Sequence, residues 1–281
     1  MACQMRASPP TIAVSMIETA LLAFEPLYAL AGFMVGVLVG ITGVGGGALM
    51  TPILVLAFGF HPATAVGTDL LYAAITKTVG TAVHNKKSSV DWRLVGLMAT
   101  GSLPAALVTL VIMHQAGGLT EGAVGILNFL LGVMLLLTSA AVLFRERIVE
   151  AMSHRIQDKD HPRTRQRTII LGLALGILVT ITSVGAGAIG TTALLILYPR
   201  LPLARIVGTD IAHAVPLTLV AGLGHLAYGA VDLGLMGSLL VGSIPGIILA
   251  SLFGAQASDA KIRPILAIAL FAVALKLLGL Y

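Results

Sequence analysis

Long apolar runs fill this chain, and each is cut by glycine, proline or a short polar patch. A helix needs about 20 mostly apolar residues to cross a bilayer. Runs of that kind cover 28–58, 63–84, 92–113 and 122–144, and again 169–198, 205–226, 235–253 and 262–280. The first run of each half is interrupted, by Gly-Val-Gly-Gly-Gly at 43–47 and by Ser183–Gly187. The pattern predicts an all-α polytopic membrane protein with about eight transmembrane helices. They form two four-helix repeats, and the first helix of each is broken at its glycine-rich segment. Ahead of them, Glu18 and Glu25 share one face of an apolar stretch at 11–26. Residues 1–27 are therefore expected to be an interfacial lead-in to the first span, not a cleaved signal.

The halves match as repeats. Gly36–Ala48 (GVLVGITGVGGGA) aligns with Gly176–Ala188 (GILVTITSVGAGA). Val66-Gly67-Thr68-Asp69 aligns with Val207-Gly208-Thr209-Asp210, His84 with His225, and Val90-Asp91 with Val231-Asp232. Gly101-Ser102-Leu103-Pro104 aligns with Gly242-Ser243-Ile244-Pro245. Low complexity can mimic matched Leu or Ala, but not matched Asp, His and Pro. The repeats are set at 28–144 and 169–281, with a basic segment at 145–168 between them. Four simple spans per half make the repeats parallel; a broken element that enters and leaves on one side inverts them.

Charge bears on orientation. Only 10% of the 281 residues are charged, against about 25% in soluble domains, and the mean hydropathy is +1.00. A soluble enzyme, a disordered chain and a nucleic-acid-binding domain are excluded, although the pI is 9.6. Seven Lys/Arg lie between Arg145 and Arg167, and positive loops stay in the cytoplasm. With simple spans, the positive-inside rule places both termini in the cytoplasm, and the charge count favours that arrangement.

The duplicated glycine-rich helix (Gly40–Pro52 and Thr180–Thr192), the Pro62…Val66-Gly67-Thr68-Asp69 segment with its second copy, and the basic central loop resemble the sulfite exporter TauE/SafE family. The resemblance covers nearly the whole chain from about residue 30. It implies a bacterial inner-membrane protein that moves a small anion, notably sulfite or an organosulfonate, and export over uptake. The second copy departs from the glycine run, with Ser183 in place of Gly43 and Ala186 in place of Gly46.

Repeated membrane carriers place substrate near the midplane, between repeats. Broken backbone at that depth survives only where it is buried in protein or lines a cavity. Its free N–H groups make an anion site. The substrate-binding candidates are therefore Thr42, Gly43, Gly45, Gly46, Gly47, Thr51, Ser183, Gly185, Gly187 and Thr191, with Lys77 as the single intramembrane cation of this group. The alternative is that the glycines only permit close helix packing. Asp69 and Asp210 are costly inside a membrane and are candidates for coupling or gating, with Thr68, Thr209 and the hinge prolines Pro104 and Pro245. Asp91 and Asp232 suit helix N-caps. His84, His213 and His225 have no partner at helical metal-ligand spacing, and Cys3 is the one cysteine. No metal or cofactor is expected.

The expected function is secondary transport of a small anion by alternating access, with protons as a candidate coupling ion and the lipid bilayer as surroundings. A passive anion channel and a carrier of a small organic carboxylate are the alternatives. No HExxH, GxSxG or paired catalytic carboxylates support an intramembrane enzyme. The oligomeric state stays open, a homodimer included.

Overall fold

The computed structural model describes residues 25–42, 47–86, 89–115, 121–153, 162–253 and 259–280. Among them it forms helices and no strands. The elements are α1 (Pro26–Thr42), α2 (Gly47–Leu56), α3 (Pro62–Lys86), α4 (Trp92–Gln115), α5 (Glu121–Leu143) and α6 (Arg145–Ser153), then α7 (Pro162–Thr182), α8 (Ala188–Leu197), α9 (Leu203–Ala227), α10 (Leu233–Phe253) and α11 (Asp259–Leu277). Five described helices have the length and apolarity to cross a membrane: α4, α7, α9, and the segments 124–143 and 233–250 of α5 and α10. The lead-in at 1–24 and the first glycine break at 43–46 lie outside the described residues.

Local chemistry sets the starts of these helices. Pro62 occupies the first position of α3, where its missing N–H costs nothing. Asp91 Oδ1 accepts the Leu94 N–H at 3.4 Å, and Asp232 Oδ1 accepts the Leu235 N–H at 2.9 Å. Both aspartates therefore act as the N-caps that their positions predict.

The outer surface of the molecule is apolar, and its apolar interior also holds polar groups. Ile126, Ile170, Ile265 and Ile268 are exposed on its outer surface. Asp69, Asp210, Thr68, Thr209, Ser102, Ser243 and His213 are fully buried. Apolar exteriors with polar groups held inside suit a lipid solvent.

Nearly every major helix packing crosses between the halves. α1 packs along α10 and α4 along α7, while α3 packs on α9 and α5 on α11. The first helix of each half thus packs on the third long helix of the other half, reciprocally. Glycine makes the approach close: a Cβ on Gly36 would meet the Ser243 backbone, and one on Gly176 the Ser102 backbone. Such small-residue seams let helices associate where lipid removes the hydrophobic drive.

The contacts also fix direction. Gly32 lies against Leu239 and Gly36 against Ser243, so α1 and α10 run the same way. Gly172 lies against Met98 and Gly176 against Ser102, so α7 and α4 do too. In contrast, Gly67 meets Ala230 while Gly80 meets Ile211, so α3 and α9 run oppositely. Gly132 meets Leu278 and Ser139 Oγ donates to Ala267 O, so α5 and α11 are opposed as well. Corresponding helices of the two halves therefore point in opposite directions.

That arrangement requires each broken element to turn back. Tyr198, at the end of α8, holds its hydroxyl 2.6 Å from Thr168 Oγ1, near the start of α7. The Tyr28 ring at the start of α1 lies 4.9 Å from the Phe58 ring and 5.8 Å from the Phe60 ring, just past α2. Each broken element is thus a hairpin whose two ends share one face. This corrects the simple spans that the charge count favoured, because hydropathy cannot distinguish a helix that continues past a break from one that returns.

The hairpins sort the charges. Arg205–Asp91 (3.6 Å) and Arg263–Glu146 (3.5 Å) join the starts of α9 and α11 to the α4 start and the central segment. Among the described residues, every Lys and Arg except Lys77 and Lys276 falls on this basic face. The opposite face carries the Asp232 N–H bond to Thr68 Oγ1 (3.0 Å) and the His114–Tyr228 ring stack (4.6 Å). Both described chain ends, Glu25 and Leu280, belong to that opposite face.

Candidate functional site

Most interior threonines spend their hydroxyls locally. Thr76, Thr109, Thr180 and Thr218 each donate to the carbonyl one helical turn earlier, which satisfies the group without reaching another element. Thr51 and Thr191 reach out instead. Thr51 Oγ1 donates to Asp69 Oδ2 at 2.5 Å, and Thr191 Oγ1 to Asp210 Oδ2 at 3.0 Å. Each carboxyl on a long helix (α3 or α9) is thereby tied to the returning arm of the hairpin in its own half. The Gly187 N–H, freed at the N-cap of α8, lies on the side of the Asp210 carboxyl. A Cβ on Gly190 would strike Asp210 Oδ1, so the close approach requires glycine there.

The second break is a tight tip. Ser183 has φ 58° and Gly185 and Gly187 have φ 125°, the region that glycine tolerates and side chains resist. Thr182 Oγ1 accepts the Val184 N–H at 3.2 Å and steadies the turn. All residues from Thr182 to Ala188 are buried, as non-helical backbone at membrane depth must be. The predicted Gly43, Gly45 and Gly46 lie outside the described residues. Thr42 ends α1 and Gly47 opens α2.

Lys77 crosses between the halves. Buried in α3, it donates from Nζ to Ala186 O at 3.4 Å, in the opposite half's break. Asp210 and Asp69 are the carboxyls that act on its charge. The eight-residue spacing from Asp69 does put both on one helix face, and the fold adds Asp210 from the other half. Ser183 lies beside Asp69, but its Oγ closes no hydrogen bond among the described residues.

A second polar pair stands one turn away on each long helix. His213 Nε2 lies 2.9 Å from Ser102 Oγ, and Tyr72 faces Ser243. Both pairs join the halves. Asp69 Oδ1, Asp210 Oδ1, Ser183 Oγ, His213 Nδ1 and Ser243 Oγ are all buried without a partner among the described residues. Orphaned buried polar atoms cost free energy unless something fills them. These five atoms single out their residues as candidates for binding. Ser102 and Ser243 were not singled out as site residues from sequence, although they match each other between the repeats beside Pro104 and Pro245.

The other predicted residues lie elsewhere. Thr68 and Thr209 do not bond the carboxyls. Their hydroxyls accept the Asp232 N–H (3.0 Å) and the Asp91 N–H (2.9 Å), latching each long helix to a connection in the other half. Pro104 and Pro245 sit within α4 and α10 on exposed positions, away from the core. His225 Nε2 bonds Thr180 O at 3.0 Å and stands apart from the carboxyls; the side chain of His84 lies outside the described residues. No group of three His, Cys, Asp or Glu that could hold a metal occurs among the described residues.

The ionisable groups of this core are buried. Two carboxyls, one ammonium and several hydroxyls surround it. Arg145 also acts on Asp210, and a proton taken up by either carboxyl lowers the negative charge that an entering anion meets.

The comparisons agree with a membrane transporter. The family profile for the sulfite exporter TauE/SafE matches residues 28–277. The chain is 36% identical to "Probable membrane transporter protein YjnA" of Bacillus subtilis over 250 residues, covering 89% of this chain and 98% of that one. It is 28% identical to "Probable membrane transporter protein YdhB" of the same organism, over 81% of this chain and 89% of that one. A probable membrane transporter protein of Methanocaldococcus jannaschii is 27% identical over 74% of each chain. No solved structure matches the chain. With a profile match spanning nearly all of its described helices, the chain belongs to the sulfite exporter TauE/SafE family of multi-pass membrane proteins.

Proposed function

We propose that the protein is a proton-coupled secondary carrier that moves a small anion, sulfite or an organosulfonate, across the bacterial inner membrane. The observation that carries this is the pairing of two buried carboxyls, each held by its hairpin, around Lys77, which reaches across to the other half. Lys77 supplies the positive charge for the substrate. Asp69 or Asp210 takes up the proton that offsets it. The glycine tip allows each hairpin to move against the long helix it touches. The two halves act as inverted repeats, so each conformation open to one side has a counterpart open to the other.

The basic face is assigned to the cytoplasm by the positive-inside rule. Both described chain ends then face outward. This differs from the arrangement expected from sequence, because each hairpin adds no crossing and so inverts everything after it. The direction of transport is assigned as export, in keeping with a family of sulfite exporters.

The test is transport by purified protein in proteoliposomes, with sulfite, sulfate, a sulfonate and a carboxylate supplied separately. Saturable movement of sulfite or the sulfonate, stimulated by substrate on the far side and by a pH gradient, is the expected result. Movement without such counterflow would identify a pore. Movement of the carboxylate alone would replace the sulfur anion with an organic acid.

A further inference from the structure

We propose that His213 is a direct substrate ligand, offering its Nδ1–H to an oxygen of the bound oxyanion. The proposal rests on the anion-carrier reading above and names a contact that reading does not use.

The argument is one of hydrogen-bond accounting. His213 lies one turn from Asp210 on α9 and is fully buried. Its Nε2 meets Ser102 Oγ at 2.9 Å, while its Nδ1 meets nothing among the described residues. A neutral imidazole carries one N–H and one bare nitrogen. If Nε2 carried the hydrogen, Ser102 would accept it, its own hydroxyl hydrogen would lack an acceptor, and Nδ1 would be a bare buried acceptor. If Ser102 donates to Nε2, both serine and Nε2 are satisfied. The hydrogen then resides on Nδ1, and a single unused donor remains. The second arrangement leaves fewer buried groups unpaired and is therefore favoured. Lys77 acts on the His213 ring, and Ser183 Oγ and Ser243 Oγ are two more buried hydroxyls without partners among the described residues. An imidazole N–H beside an ammonium suits a compact group with several oxygens, such as sulfite or a sulfonate head. The corresponding position in the first half is Tyr72, which faces Ser243, so an imidazole donor is present on one side of the site only. Ser102 is a positioning residue that fixes the tautomer.

Two substitutions separate the two ring nitrogens. His213→Asn keeps an N–H donor near the Nδ1 position, and His213→Gln moves it toward Nε2. Sulfite and methanesulfonate binding to the purified full chain is measured by calorimetry, without air for sulfite. Wild type and His213→Asn should bind within about threefold of each other, and His213→Gln about tenfold more weakly. The nitrogen chemical shifts of histidine-labelled wild type, assigned by loss of the His213 signal in a variant, should show the Nδ1–H tautomer, and that signal should move on adding sulfite. Equal binding by all three proteins, or an Nε2–H tautomer, overturns this inference and leaves the carrier reading in place. Absence of binding to folded wild type overturns both.

Discussion

A charged side chain inside an apolar run is visible in any sequence, and Asp69, Asp210 and Lys77 are legible for that reason. Their meeting is not, since Lys77 approaches Ala186 from another half of the chain. Ser102 and Ser243 are illegible for the converse reason: one small hydroxyl in an apolar helix looks like background until its partner is known. Three outcomes follow at this scale. Asn at Asp69 or Asp210 keeps the shape and removes the titrating proton, so transport measured with and without a pH gradient should lose its acceleration. Lys77→Gln removes a charge-assisted contact of about 1.5–3 kcal/mol. Its apparent substrate constant should rise about ten- to a hundredfold. Gly190→Ala pushes a methyl group into Asp210 Oδ1 and should break the Thr191 bond, so transport should collapse at unchanged membrane abundance.

Among the elements, the hairpins hold the two buried carboxyls through Thr51 and Thr191. Gly185→Ala isolates the backbone contribution, because its added Cβ would meet only ordinary neighbours such as Met134 and Val179. The strain comes from φ 125°, a conformation costing about 1–3 kcal/mol for a side-chain-bearing residue. A lower melting temperature with slowed transport is the expected outcome, read by thermal denaturation and flux on the same preparation. That each first element breaks was legible in the glycines. That it turns back was not, because hydropathy is identical for a helix that continues and one that reverses. The deciding contacts, Tyr198 with Thr168 and Tyr28 with Phe58, span the whole hairpin.

Over the whole molecule, the inverted arrangement explains why polar residues cluster at the core and Lys and Arg at one face. Opposed halves bring Asp69 and Asp210 toward the same lysine. The repeat itself was legible from matched Asp, His and Pro. Its hand depends on an odd or even number of crossings, which the sequence leaves to the hairpins. The most direct measurement is the sidedness of Arg200, at the mouth of the second hairpin. Arg200→Cys, in a chain with Cys3→Ala, is treated with a membrane-impermeant maleimide in intact cells and in inverted vesicles. Labelling in inverted vesicles alone is the predicted result, with the hairpin mouth on the same side as the central basic segment. Labelling in intact cells would place Arg200 across the membrane from that segment, as simple spans require, and would contradict the inverted architecture on which the site depends.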